Sequence, residues 1–190
     1  MSAEIVVVGT SLGGLDALKV LLSGLPASFD IPIAIVQHRT KRSDEALVKL
    51  LSAETSLLVT EANDKDEIER GRVYCAPADY HLLVEPGMFA LSIDEPVNYS
   101  RPSIDVLFES AAETYGAQVI GVLLTGASKD GAAGCVRIKA RGGVTLVQDP
   151  VTALAPTMPA AAISAQAADQ VLTLTSIPLA LVQLCGSTRH

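Results

Sequence analysis

Three residues of this chain are of the types that nucleophilic hydrolysis needs, and each follows an apolar run: Ser11, His38 and Asp130. Ser11 stands in Gly9-Thr10-Ser11-Leu12-Gly13, a G-x-S-x-G pattern continued by Gly14 and preceded by Ile5-Val6-Val7-Val8. A strand that turns sharply into a helix cramps the residue at the bend, so its near neighbours must be small. Such a turn exposes one hydroxyl beyond the strand's C-terminal end, close to the amides that open the next helix. His38 follows the run from Ile31 to Val36 after one residue, Gln37, and Asp130 lies in the loop behind Val119–Leu124. In a serine hydrolase, His38 would take the Ser11 proton and return it to the leaving group. Asp130 would hold the other ring N–H of the imidazole and stabilise its cation.

Other chemistry fits parts of this pattern. A strand, a Gly-rich turn and a helix also make an anion cradle. The spacing departs from G-x-G-x-x-G, because Ser11 stands where the second Gly belongs, and no G-K-[ST] follows. A histidine that ends a strand is often structural, and an Asp before Gly131 is often a turn or capping residue. His81 competes with His38 as the base but ranks lower, since it opens a hairpin with no reason to sit beside the first strand. His190 is terminal. A metal site from His38, Asp130 and Asp149 lacks any H-x-x-x-H spacing. The order Ser, His, Asp differs from the Ser, Asp, His of α/β-hydrolases, but triads are defined by geometry.

The elements that must position these residues alternate. The spacing of Leu15, Leu18, Leu21 and Leu22 predicts a helix over 13–24, ended by Gly24 and Pro26. A second helix is expected over 44–53 with Ser43 as its N-cap. Leu57–Val59 and 71–77 read as extended pieces, and 81–85 with 88–93 read as a β-hairpin turning at Pro86-Gly87. Ser103 is the expected N-cap of the next helix. A small-residue helix runs to about Ala140, a strand covers 143–147, and 148–159 is irregular with three prolines. A further helix, a weak strand near 171–174 and a last helix near 176–185 complete the chain. Continuous apolar strands alternating with helices predict a doubly wound, mainly parallel α/β sheet with helices on both faces and a β-hairpin insertion. Reactive groups then collect outside the carboxyl ends of the strands, near a topological switch point. Ser11, His38 and Asp130 all meet that condition.

Composition narrows the function. The 190 residues suit one domain, 1–190, with a core that needs no staples. No apolar run approaches the roughly 18 residues of a membrane span, and no signal peptide is visible. The three cysteines are scattered, without C-x-x-C spacing, and read as reduced core residues. These features predict a cytoplasmic protein. A net charge of −7 and the absence of Trp argue against nucleic acid as a partner. The one basic cluster, Arg39-Thr40-Lys41-Arg42, reads as a solvated loop or as a docking patch for an acidic surface.

These motifs together resemble a known family. Gly9–Gly14, Val36-Gln37-His38 and Leu124-Thr125-Gly126 with Asp130-Gly131-Ala132-Ala133-Gly134 are similar to the catalytic domain of the chemotaxis receptor methylesterases, the CheB family. The likeness continues through Tyr74-Cys75-Ala76-Pro77, His81-Leu82-Leu83 and Arg101-Pro102-Ser103-Ile104-Asp105-Val106-Leu107-Phe108. Gly142-Gly143-Val144-Thr145, Gln148-Asp149 and Met158-Pro159 extend it over nearly the whole chain, in order.

The resemblance implies Ser11 as nucleophile, His38 as base and Asp130 as acid. It implies hydrolysis of glutamate γ-methyl esters on the cytoplasmic domain of methyl-accepting chemotaxis receptors, with deamidation of glutamines as a second activity and no cofactor or metal. The backbone N–H groups of Leu12 and Ala127 are the expected oxyanion donors. Arg101 and Met158, with the 148–159 segment, are substrate-cleft candidates. Leu12 and Ala127 depart from the family, where Thr and Met are usual, and the segment after His38 replaces a Met-Pro-like pair. The receiver domain that usually precedes this domain is not in the sequence, so a separate response regulator or signalling partner is expected. An esterase-like binding module without turnover, and an esterase for another ester, stand as alternatives.

Overall fold

The computed structural model describes residues 3–38 and 44–186. Six parallel connections build a seven-stranded sheet in the order β3-β4-β2-β1-β7-β8-β9. The strands are β1 (Ile5–Thr10), β2 (Ile33–Gln37), β3 (Leu58–Glu61), β4 (Arg72–Cys75), β7 (Val119–Leu123), β8 (Val144–Gln148) and β9 (Gln170–Leu172). Two more, β5 (His81–Glu85) and β6 (Met88–Ser92), form a separate antiparallel hairpin. The helices are α1 (Gly14–Ser23), α2 (Asp44–Ser52), α3 (Ile104–Tyr115), α4 (Ala132–Ala140), α5 (Thr157–Ser164) and α6 (Ile177–Gly186).

The sequence pattern explains the layers. Side chains alternate along a strand, so the unbroken apolar run of β1 must be covered on both faces. Val6 and Val8 point to the face covered by Leu18, Leu21 and Leu22 of α1, Leu51 of α2 and Ile177 and Leu181 of α6. Ile5 and Val7 point to the other face, under Ile104, Leu107 and Phe108 of α3, Cys135 and Ile138 of α4 and Met158 of α5. Fully burying one such Leu, Ile or Phe is worth about 1.5–3 kcal/mol. The hairpin lies on this second face, with Leu82, Val84 and Phe89 buried in the same cluster. It packs against α3 and does not extend the main sheet.

The chain moves from β1 to β2 on one side and later returns to place β7 on the other, so β1 flanks the switch point. Register levels the ends: Thr10 lies opposite Gln37, and Gly9 lies opposite Leu123. The loops after β2, β1 and β7 therefore open side by side.

Several boundaries differ from the sequence expectation. Strand β1 runs to Thr10, because Gly9 and Thr10 still pair with Val36 and Gln37. The segment 148–159 is less irregular than its prolines imply. Pro150–Thr152 forms a 3₁₀ turn, and α5 starts at Thr157 with Pro159 in its first turn, where a missing N–H is tolerated. The basic quartet 39–42 and the N-cap expected at Ser43 lie outside the described residues.

Candidate active site

The turn after β1 is pinned from below. The Ser11 N–H donates to Thr125 O at 2.9 Å, and Gly14 N–H donates to Ser11 O at 2.8 Å. The Thr10 hydroxyl also donates to Thr125 O, at 2.8 Å, and the Thr125 hydroxyl donates to Leu12 O at 2.9 Å. Gly13 takes the left-handed conformation at φ 80° as the N-cap of α1, a region that L side chains enter at a steric penalty. Gly126 allows a close approach on the other side: a Cβ there would fall 2.5 Å from Met158 Cε and 3.0 Å from Ser11 Cβ. The loop after β7 thus lies directly against the Ser11 turn.

Ser11 and His38 line one open groove of about 410 Å³ with Leu12, Gly13, Leu15, Asp16 and Gln37. No hydrogen bond joins the Ser11 hydroxyl to the imidazole, a looseness common in hydrolases without substrate. Leu12 presents 58% of its surface to solvent in this groove.

His38 and Asp130 are joined directly: Nε2 donates to Asp130 Oδ2 at 2.7 Å. That bond assigns the proton to Nε2 and leaves Nδ1 as the acceptor. Nδ1 lies 3.5 Å from the Ser100 hydroxyl. Asp130 is fully buried and accepts four further hydrogen bonds. Ile104 N–H donates to Oδ2 at 2.6 Å. The Ser103 hydroxyl at 2.8 Å, Asp105 N–H at 3.1 Å and Asn98 Nδ2 at 3.1 Å all donate to Oδ1. Burial alone would raise its pKa. The hydrogen bonds from His38, Ile104, Ser103 and Asp105 outweigh it and hold the carboxyl at about 2. Asp130 is therefore an anion placed at the N-terminus of α3, where the helix dipole favours it.

Ser103 does occupy the N-cap position of α3, but its side chain does not cap that helix. The hydroxyl goes to Asp130, which takes over the capping. His81 also reaches this network. Its Nδ1 accepts the Ser103 N–H at 3.2 Å, and its Nε2–H donates to Glu95 O at 3.1 Å. With both ring nitrogens held by backbone, His81 braces the acid's support rather than facing Ser11. The hairpin sits there because it packs on α3, a long-range contact that periodicity does not reveal.

The remaining candidates divide. Met158 is fully buried, with its sulfur against Gly126, and so backs the Ser11 turn from the interior. Arg101 is engaged elsewhere: Nε and Nη2 donate to Asp79 Oδ1, and Nη1 donates to the carbonyls of Ile93 and Asp94. Gly126 N–H is taken by Ala155 O, whereas Leu12 and Ala127 donate their N–H groups to nothing among the described residues. The Asp149 side chain accepts Val151 N–H. Among the described residues no group of three or more His, Cys, Asp or Glu is arranged to hold a metal ion. Sequence reading alone does not single out Asn98, Ser100 or Gln37. Only Gln37 carried a signal, as the residue beside His38 at the strand end.

Nearly the whole chain is matched by a known family. The family model described as CheB methylesterase covers residues 6–181. A provisionally named protein-glutamate methylesterase/protein-glutamine glutaminase of Leptospira interrogans is 49% identical over 185 residues, 97% of this chain and 96% of that protein. The protein-glutamate methylesterase/protein-glutamine glutaminase 2 of Anaeromyxobacter dehalogenans is 45% identical over 181 residues, 95% of this chain and 53% of that protein. The crystal structure of the Thermotoga maritima CheB methylesterase catalytic domain matches with a TM-score of 0.92 at 37% identity. The match covers 97% of this chain and 100% of that one.

Proposed function

The chain belongs to the CheB methylesterase family, and on that premise we propose that it hydrolyses glutamate γ-methyl esters through Ser11, His38 and Asp130. The observation that carries this reading is the 2.7 Å bond from His38 Nε2 to the buried carboxylate of Asp130, with His38 lining the same groove as Ser11. The substrate is the cytoplasmic domain of a methyl-accepting chemotaxis receptor, and the protein acts in the cytoplasm. No described helix is long and apolar enough to cross a membrane.

The geometry gives the imidazole a defined direction. Nε2–H is held by the acid, so Nδ1 is the nitrogen that receives the Ser11 proton. This reverses the ring assignment of the chymotrypsin-type triad, where Nδ1 faces the acid. Ser11 Oγ attacks the γ-carbonyl carbon as its proton passes to Nδ1. The tetrahedral oxyanion is met by the Leu12 and Ala127 N–H groups, which a change of side chain leaves available. One such donor is typically worth about 10²–10³ in rate. Collapse breaks the bond to the methoxy oxygen, which takes the proton from Nδ1 and leaves as methanol. Water, deprotonated by Nδ1, then cleaves the acyl-Ser11 ester and frees the γ-carboxylate. A glutamine side chain enters the same cycle and releases ammonia.

The test is release of volatile methanol from methyl-labelled receptor cytoplasmic fragments, with Ser11→Ala as control. Release that disappears in the variant supports the reading. Absence of release from folded protein on several receptors contradicts it and favours an esterase-like binding module.

A further inference from the structure

We propose that Gln37 is a positioning residue that sets the separation of nucleophile and base, an inference that rests on the roles given above to Ser11 and His38. Gln37 is the last residue of β2 and stands opposite Thr10 of β1. Its single amide group, Nε2, donates to Ser11 O at 2.9 Å and to His38 O at 3.0 Å. Both N–H bonds of one planar group thus end on the backbones of the two residues that must exchange a proton. No other described side chain bonds to both.

The amide's orientation is fixed by the same contacts. Turned over, the amide would set Oε1 against two carbonyl oxygens, with no proton between them. In the observed orientation Oε1 is buried without a hydrogen-bond partner among the described residues. The Thr10 hydroxyl, which faces the same slot beside Gly14, gives its hydrogen to Thr125 O. Buried polar atoms left unpaired are rare and call for a specific reason. Here the reason is the clamp: the donor end of Gln37 has two uses, and the acceptor end has none. The slot that holds it exists only because residue 14 is glycine, since a Cβ there would fall 2.0 Å from Oε1.

Gln37 acts through His38 and Ser11, and the clamp bears on the proton transfer rather than on binding. A small displacement of either backbone misaligns Ser11 Oγ and Nδ1, and misplacement near 1 Å lowers rates by about 10²-fold. Gln37→Met keeps the length of the side chain and removes both donors. Its expected effect is a fall in kcat of about 10–100-fold with KM unchanged.

The experiment is a double-mutant cycle on methanol release, comparing the wild type, Gln37→Met, His38→Ala and the double variant, with Ser11→Ala as the blank. Circular dichroism checks that each is folded. Gln37→Glu, which keeps the volume but turns an oxygen toward both carbonyls, takes the place of Gln37→Met should the latter be unstable. The clamp predicts a large loss in the wild-type background and no further loss in His38→Ala. Equal losses in both backgrounds, a rise in KM alone, or full activity of the folded variant would overturn it while leaving the triad intact. Full activity of His38→Ala would overturn both.

Discussion

Asp105 and Asp130 exchange helix ends: each carboxylate caps the helix to which the other is attached. Asp130, just before α4, accepts the first N–H groups of α3 from Ile104 and Asp105. Asp105, in the first turn of α3, accepts the first N–H groups of α4 from Gly131 at 2.8 Å and Gly134 at 2.7 Å. Asn98 Nδ2 bridges the two, 2.8 Å from Asp105 and 3.1 Å from Asp130. The carboxylate beside His38 is thus held by the N-terminus of α3, while Asp105 ties that turn to the start of α4.

This exchange makes stability depend on pH in a way that Asp105→Asn reveals. Burial pushes the Asp105 carboxyl up, the Gly134 and Gly131 amides oppose that, and the neighbouring Asp130 charge raises it again, to about 6. A raised folded pKa gives stability that is full below the ordinary value of 3.8 and is lost as pH climbs through about 6. Asp130 has the opposite sign: its contribution is present above 3.8 and is lost as pH falls toward about 2. Urea midpoints measured from pH 4 to 7 should decline less steeply for Asp105→Asn than for the wild type. Parallel curves would contradict the prediction.

Asp130→Asn should damage folding as well as turnover. The buried carboxylate accepts five donors, and an amide nitrogen cannot accept from those facing it. We expect a loss of about 3–5 kcal/mol by urea unfolding, the range for breaking a buried charged pair. Turnover should fall by about 10⁴, the size seen when a triad imidazole loses its tautomer. His38→Ala should lose similar activity but far less stability, because Asp130 keeps its other donors. Equal stability losses in the two variants would show that the capping contributes little.

What was legible in the sequence was placement at strand ends. Ile5–Val8, Ile31–Val36 and Val119–Leu124 are apolar enough to be buried strands, and β2, β1 and β7 do lie side by side. That brings the Ser11, His38 and Asp130 loops together, and the mainly parallel sheet with its hairpin insertion follows from the same runs. The support for Asp130 was not legible, because its partners Asn98, Ser103, Ile104 and Asp105 are 25 to 32 residues away in the chain. Ser103 carries an N-cap signal that local reasoning assigns to its own helix, and tertiary contact redirects it. Arg101 reads from the sequence as a substrate-cleft candidate. Its guanidinium is instead committed to Asp79 and two carbonyls, which no spacing rule predicts.

Gly126→Ala tests how tightly the loop after β7 supports the Ser11 turn. The new methyl group would meet the flexible end of Met158 at 2.5 Å and Ser11 Cβ at 3.0 Å. The methionine can yield, but Ser11 is held through its own backbone bonds. The expected result is a fall in kcat of at least about 10-fold, with an overpacking loss of about 1–3 kcal/mol. A variant with wild-type kcat would show that Ser11 tolerates movement there.

Tyr99 should serve protein substrates only. It is fully exposed at the tip of the 97–100 turn, where Asn98 and Tyr99 both have positive φ, at 51° and 62°. Ser100 of the same turn lies beside His38 Nδ1. Tyr99→Gly removes the ring and suits the left-handed conformation, so the turn should be preserved. KM for a receptor fragment is expected to rise by about 10-fold, the effect of losing one exposed aromatic anchor. Labelling by a small phosphonate should not change. A change in labelling, with KM unaltered, would place Tyr99 in the chemistry instead.

The central claim is that Ser11 is made nucleophilic by His38, and covalent labelling tests it most directly. Folded protein would be treated with a fluorophosphonate and the adduct located by peptide mass mapping. The account predicts a single adduct on Ser11, formed at a rate that drops by at least about 10² in His38→Ala. An adduct on another residue, or equally fast labelling of Ser11 without His38, would contradict it.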